Sequence, residues 1–216
     1  MSQTPITRES LSNLPARLLR DGRVANAVVS CVEADGKLWT VKDFAGRPWW
    51  IRQTVAPFLL ARELRALNRL RGIPGIAEEA FRIDRHALAV RFMEGTSIDK
   101  ADRSLVTPVY LERLEALVAV MHARGVVHLD MRGAGNVMVR PDGTPGLIDF
   151  QASVVTERLP GFLRRLLEDF DLSGALKKWR LYQPEAMGEQ RREALERINR
   201  LRKFWIFRGY FGLKKK

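Results

Sequence analysis

The stretch His128-Leu-Asp-Met-Arg-Gly-Ala-Gly-Asn-Val-Met-Val-Arg-Pro-Asp-Gly-Thr-Pro-Gly-Leu-Ile-Asp-Phe150 limits what this chain can fold into more than any other. It places Asp130 and Asn136 on a loop after a helical segment. Asp149 ends a short apolar strand, Gly146 to Ile148, which a Pro141-Asp-Gly143 turn joins to the strand Val137-Met-Val139. A loop carboxylate can accept a proton from an attacking hydroxyl. An Asn oxygen and a second carboxylate are hard ligands suited to magnesium carrying nucleotide phosphates. The same residue types also cap and bend chains near turns, so the rest of the sequence has to choose between the two readings.

The pattern resembles the catalytic loop and Asp-Phe-Gly pair of protein-kinase-like enzymes, written His-Arg-Asp-Leu-x-x-x-Asn followed later by Asp-Phe-Gly. It departs in three places. Leu129 stands where an Arg reads a phosphorylated activation loop, so switching by loop phosphorylation is not expected. Gln151 replaces the glycine after Asp-Phe, and Asn136 follows Asp130 by six residues rather than five. Gly133 and Gly135 are expected to absorb the extra residue, since glycine adopts the positive φ of a bulged turn.

Composition narrows the partners. Lys and Arg number 37 against 25 acidic residues, a net charge of +12, which favours nucleic acid, nucleotides or an acidic membrane surface. Cys31 is the only cysteine, so no internal disulfide forms. The N-terminal segment has no apolar signal core, and no uncharged run approaches the roughly 18 residues of a span. The expected location is the cytoplasm. His86, His122 and His128 lack the spacing of a zinc site.

After a polar leader, residues 23–32 read as a strand, Ala34-Asp-Gly36 as a hairpin turn and residues 37–44 as the partner strand. Period-two alternation puts Leu38, Thr40, Lys42 and Phe44 on one face. An ammonium on an apolar face is costly unless an anion pairs with it. The following helix, residues 56–71, carries Leu60, Leu64, Leu67 and Leu70 in one stripe. Glu63 lies beside that stripe, the only acidic residue between Asp43 and Glu78. It can reach back to Lys42, or pair with its helical arginines for about 0.3–0.5 kcal/mol. Residues 87–95 read as a strand entering a glycine-marked turn. Thr107-Pro108 opens a second helix, with Leu111, Leu114, Leu117, Val118 and Met121 as its stripe and Gly125 at its end.

Residues 38–150 together resemble the bacterial lipopolysaccharide core kinases, the Kdo/heptose kinase family, which are similar to RIO-type kinases. Aminoglycoside and choline kinases share a similar arrangement. The resemblance implies an α+β, small bilobal kinase-like fold: an antiparallel-sheet N-lobe over residues 1–92 and a reduced, mainly helical C-lobe over 93–216. It implies ATP and Mg2+ as cofactors. Lys42 would hold the α and β phosphates with Glu63 as its anchor, and Asp130 would orient the acceptor hydroxyl. Asn136 and Asp149 would bind magnesium, and Arg132 would neutralise the transferring phosphoryl group. Phe92 and Met93 fall where kinases hold adenine. A glycine-rich phosphate loop is missing, because Asp21-Gly-Arg-Val-Ala-Asn26 has one glycine, and Arg23 is expected to cover the phosphates instead.

The short stretch after Asp149 contains no Ala-Pro-Glu segment and leaves little room for a peptide platform, so a small-molecule or glycolipid hydroxyl is the expected acceptor. Residues 161–170 are amphipathic. Residues 200–216 hold seven basic residues and no acidic one, interleaved with Phe204, Trp205, Phe207, Tyr210 and Phe211. Such an element suits the face of an anionic bilayer, or packs its aromatics on the C-lobe. Trp49-Trp50 would extend the same surface. The expected function is an ATP-dependent phosphotransferase acting on a lipopolysaccharide inner-core sugar, peripheral on the cytoplasmic face of the inner membrane. The rivals are a RIO-like serine/threonine protein kinase and a pseudokinase or membrane adapter. No nucleic-acid reading module is present, so nucleic acid is not expected as a partner.

Overall fold

The computed structural model describes residues 6–22 and 26–203. Its first half is a five-stranded antiparallel sheet in the order β1-β2-β3-β5-β4. The strands are β1 Ala16–Asp21, β2 Val28–Ala34, β3 Lys37–Asp43, β4 Ala80–Arg82 and β5 Ala87–Arg91. Asp35 and Gly36 both have positive φ, 51° and 66°, the pair a two-residue type I′ hairpin turn requires.

Both faces of this sheet are covered. On the outer face, Ile6, Leu11 and Leu14 pack on Val32, Trp39, Val41 and Ala89. Leu11 belongs to helix α1, Arg8–Asn13, which is capped by Thr7. On the inner face, helix α2, Ala56–Arg69, follows a π-helical turn at Ile51–Val55 and buries Leu59 and Leu60 against Phe44 and Leu88. Fully burying one such side chain contributes roughly 1.5–3 kcal/mol. Double coverage explains why β3 does not follow simple alternation: Trp39, Val41, Lys42 and Phe44 are buried, while Leu38, at the hairpin end, is 37% exposed.

The segment read only as a polar leader contains α1 and β1. Every residue of β1 is exposed, so its sequence carries no apolar period to betray a strand. The strand expected from residue 23 starts at Val28, and Arg23 lies outside the described residues. The first long helix ends at Arg69 rather than 71, because Gly72 takes a φ of 82° beyond the Leu70 cap.

The second half is mainly helical. Helix α3, Pro108–Ala123, begins at Thr107, whose hydroxyl accepts from the Tyr110 amide at 3.2 Å. Short strands β6 Thr96–Ser97, β8 Val137–Val139 and β9 Pro145–Leu147 form one ribbon, and β7 Val126–Val127 pairs with β10 Val154–Val155. Helix α4, Gly161–Tyr182, packs against α3 and against α5, Glu189–Lys203. Residues 161–170, read as amphipathic, are the first turns of α4. Leu167 and Phe170 face the core, and Phe162 is 75% exposed. Among the described residues no helix is long and apolar enough to cross a membrane. Phe204 to Lys216 lie outside the described residues.

Candidate active site

Lys42 is the penultimate residue of β3, paired with Val29 on one side and Leu88 on the other. Its side chain points at α2 on the inner face. There Nζ donates to Glu63 Oε1 at 2.6 Å and Oε2 at 2.9 Å, and to Asp149 Oδ1 at 2.7 Å. Burial opposes a charge on Lys42. The fields of Asp149 and Glu63 overcome it and hold the ammonium above its ordinary range. Burial pushes the Glu63 carboxyl up, against the pull of Lys42. Glu63 Oε1 also accepts from the Phe150 amide at 3.3 Å. One glutamate from α2 therefore ties the sheet to the segment that carries Asp149.

Asp149 stands at φ 66° and Leu129 at φ 64°, a region that costs non-glycine residues about 1–3 kcal/mol each. Burial raises the Asp149 carboxyl, but the charge and hydrogen bond of Lys42 win and hold it below the usual value. The backbone around Leu129 is held from α4: Asp171 accepts from the His128 amide at 2.5 Å and the Leu129 amide at 2.6 Å. Because a carbonyl only accepts, His128 Nε2 donates to the Ile148 carbonyl at 3.0 Å. Its Nδ1 is left to accept from the Asp130 amide at 3.3 Å. His128 thus links the loop before Asp130 to the strand before Asp149.

Asp130 Oδ2 accepts from Asn136 Nδ2 at 2.8 Å. The surrounding protein raises the Asp130 carboxyl, as does the nearby charge of Asp149, while His128 and Asn136 act the other way. The side chain still meets water at the mouth of the cleft, which tempers the shift. The Asn136 amide also donates to the Asp130 carbonyl at 3.2 Å, so its oxygen faces outward.

The extra residue in this loop is not absorbed where expected, since neither Gly133 nor Gly135 takes a positive φ. The loop is shaped instead by Lys178 of α4, whose Nζ donates to the carbonyls of Met131, Arg132 and Gly133 at 3.2, 3.2 and 2.8 Å. Gly174 makes this approach possible: a Cβ there would lie 2.8 Å from Met131 Cβ. Asp171, Gly174 and Lys178 form one face of α4 at spacings of three and four. That polar face on a buried helix was the available signal, and sequence reasoning passed over it.

Burial lowers the Lys178 ammonium from its ordinary 10.5 to about 8. The folded chain holds this proton less tightly than the unfolded chain does. Between about pH 8 and 10.5 the unfolded chain therefore carries more protons, and stability rises with pH. Urea midpoints of wild type should gain on those of Lys178→Met across that window, by on the order of 1 kcal/mol per pH unit. A constant difference would contradict the buried-ammonium reading.

Lys42, Glu63, Asp130, Asn136 and Asp149 thus converge on one cleft. Arg132 is directed elsewhere: its NH1 donates to Ser173 Oγ and Asn199 Oδ1, both at 3.0 Å, which ties the loop to α4 and α5 rather than aiming at a phosphoryl group. The Phe92 amide is spent on the Leu38 carbonyl at 3.0 Å, so it is not available to adenine. Met93 lays its sulfur over Gly146.

Comparison with known proteins gives a family and a fold. Residues 48–171 match the family model described as RIO domain (RIO1). Lys42 lies outside the matched residues, so its place in the site rests on geometry alone. Among solved structures, the chain is similar to the Rio2 kinase from Chaetomium thermophilum, with 14% identity and a TM-score of 0.59, covering 90% of this chain and 75% of that one. A second structure, the Rio2 kinase-ADP/Mg2+-phosphoaspartate complex from the same organism, matches with 14% identity and a TM-score of 0.58, covering 90% and 73%. No curated protein matches. At that identity the structures show a shared kinase-like fold, and the family model, which spans more than half of the sequence, goes further: the chain belongs to the RIO domain family of protein-kinase-like phosphotransferases.

Proposed function

We propose that this chain is an ATP- and magnesium-dependent phosphotransferase of RIO type, with a serine or threonine hydroxyl of a protein as acceptor. The observation that carries the reading is the bridge from Lys42 to both Glu63 and Asp149 across the cleft, with Asp130 and Asn136 beside it. ADP and Mg2+ in the related Rio2 complex support the choice of nucleotide and metal.

The donor set fits the metal. Asn136 turns an amide oxygen outward, and Asp149 Oδ2 has no protein donor among the described residues. Hard oxygens of this kind suit magnesium, which when bound supplies charge neutralisation along the polyphosphate. The amide of Asn136 holds Asp130 Oδ2, so Oδ1 is left to orient the acceptor hydroxyl and receive its proton as the oxygen attacks the γ-phosphorus and ADP departs. All three Lys42 protons are directed to carboxylate oxygens, so a phosphate must replace one of them. Asp149, with 28% of its side chain exposed against 2% for Glu63, is the partner free to yield.

A second reading, transfer to a membrane glycolipid such as a lipopolysaccharide inner-core sugar, is supported by the net charge of +12. Trp49 and Trp50, 69% and 55% exposed before α2, support it too. The test is label transfer from γ-labelled ATP to polypeptides and to envelope lipids in parallel. Label in protein supports the leading reading, label in lipid the second, and label in neither removes both.

A further inference from the structure

Strand β1 pairs with β2 in simple register at Ala16↔Val32, Arg17↔Cys31 and Leu18↔Ser30, and then shifts, so that Arg20 opposes Val29 and Asp21 opposes Val28. Leu19 is the surplus residue of a β-bulge, and a bulge re-aims the side chains that follow it. Val29 opposes Lys42, and Lys42 opposes Leu88. Residues directly opposed across antiparallel strands project to the same face. Arg20, Val29, Lys42 and Leu88 therefore form one row on the inner face, and Arg20 hangs over the cleft in line with the lysine. Without the extra residue, Leu19 would occupy this position and Arg20 would point to the outer face.

The Arg20 guanidinium is exposed and makes no hydrogen bond or ion pair among the described residues. Its charge nevertheless reaches both cleft acids, acting to lower Asp130 and Asp149 alike. The two ends of the connection that follows β1 are held. Arg47 donates to Asp21 Oδ1 at 2.9 Å and to the Asn26 carbonyl at 2.8 Å, and Gly22 is buried against the Ala27 carbonyl. The sequence from Asp21 to Asn26 has one glycine, where a glycine-rich loop has several to wrap backbone amides around phosphates.

We propose that Arg20 is a phosphate-contacting residue of the nucleotide site, directed there by the bulge at Leu19, and that it supplies from a side chain the positive charge that a glycine-rich loop supplies from backbone amides. The guanidinium fork matches phosphate oxygens. The inference rests on the phosphotransferase reading above and deepens it.

Equilibrium binding of ATP and of adenosine, with magnesium present, to wild type, Arg20→Ala and Arg20→Lys tests it. Arg20→Ala should weaken ATP about tenfold and leave adenosine within about twofold, and Arg20→Lys should recover part of the loss. The side chain is exposed, so the melting temperature without nucleotide should not move. ATP affinity within about twofold of wild type in Arg20→Ala would overturn the assignment while leaving the nucleotide site standing. An equal loss for ATP and adenosine would also overturn it, because the residue would then act through structure rather than phosphate. If wild type binds neither ligand, the phosphotransferase reading falls together with the role of Arg20.

Discussion

Asp130→Asn is expected to lower phosphoryl transfer by about 10²–10⁴-fold while nucleotide affinity stays within about twofold. The Asp130 carboxylate keeps one oxygen, Oδ1, that the protein does not engage among the described residues, and an amide in its place cannot take up the hydroxyl proton. Substrate-free contacts change little, since Asn136 can still donate to the oxygen of the new side chain. Single-turnover transfer separates this loss from binding. The wild-type rate should also fall on the acid side at a pH above the usual carboxylate range, because burial raises the Asp130 carboxyl and only the ionised form accepts a proton. Transfer within a few-fold of wild type in Asp130→Asn would remove Asp130 from the chemistry.

The second large effect is structural. Asp171→Ala is expected to destabilise the fold by on the order of 3–5 kcal/mol, a large part of the roughly 5–15 kcal/mol available to a domain. The Asp171 side chain is 0% exposed. It accepts from two backbone amides, His128 and Leu129, and from His122 Nε2 at 3.2 Å. Its removal orphans both amides in the core and releases Leu129 from its left-handed conformation. Urea unfolding measures the loss directly, and the same variant should lose transfer even where it remains folded, because the turn carrying Asp130 is no longer positioned. A midpoint that corresponds to less than about 1 kcal/mol of change would show that water or a rearranged neighbour replaces the carboxylate.

These two residues differ in how they announce themselves. Asp130 lies in a local pattern of loop carboxylate, amide and strand-end carboxylate, and Lys42 stands out as an ammonium on an otherwise apolar strand face. Glu63 is conspicuous as the one acid in a basic helix. In each case the side chain violates the composition of its own element, and such a violation is visible without a partner. Asp171, Gly174 and Lys178 violate nothing so obvious, since charged residues are ordinary on helices. Their importance comes from α4 being buried and from the loop that lies against it. Arg132 was misread for the converse reason: its position relative to Asp130 is local, but the direction of its side chain is set by Ser173 and Asn199, distant in sequence.

The amino-acid order alone determined the hairpin at Asp35-Gly36, the caps of α3 and the identity of the cleft's acids and lysine, because turn chemistry, capping and the cost of burying charge act over a few residues. Tertiary structure decided which loop carbonyls Lys178 would satisfy, where Arg132 would point and which face Arg20 would take. Those outcomes depend on strand register and on helices meeting across the chain, where a one-residue bulge or a glycine's missing Cβ changes which groups can touch.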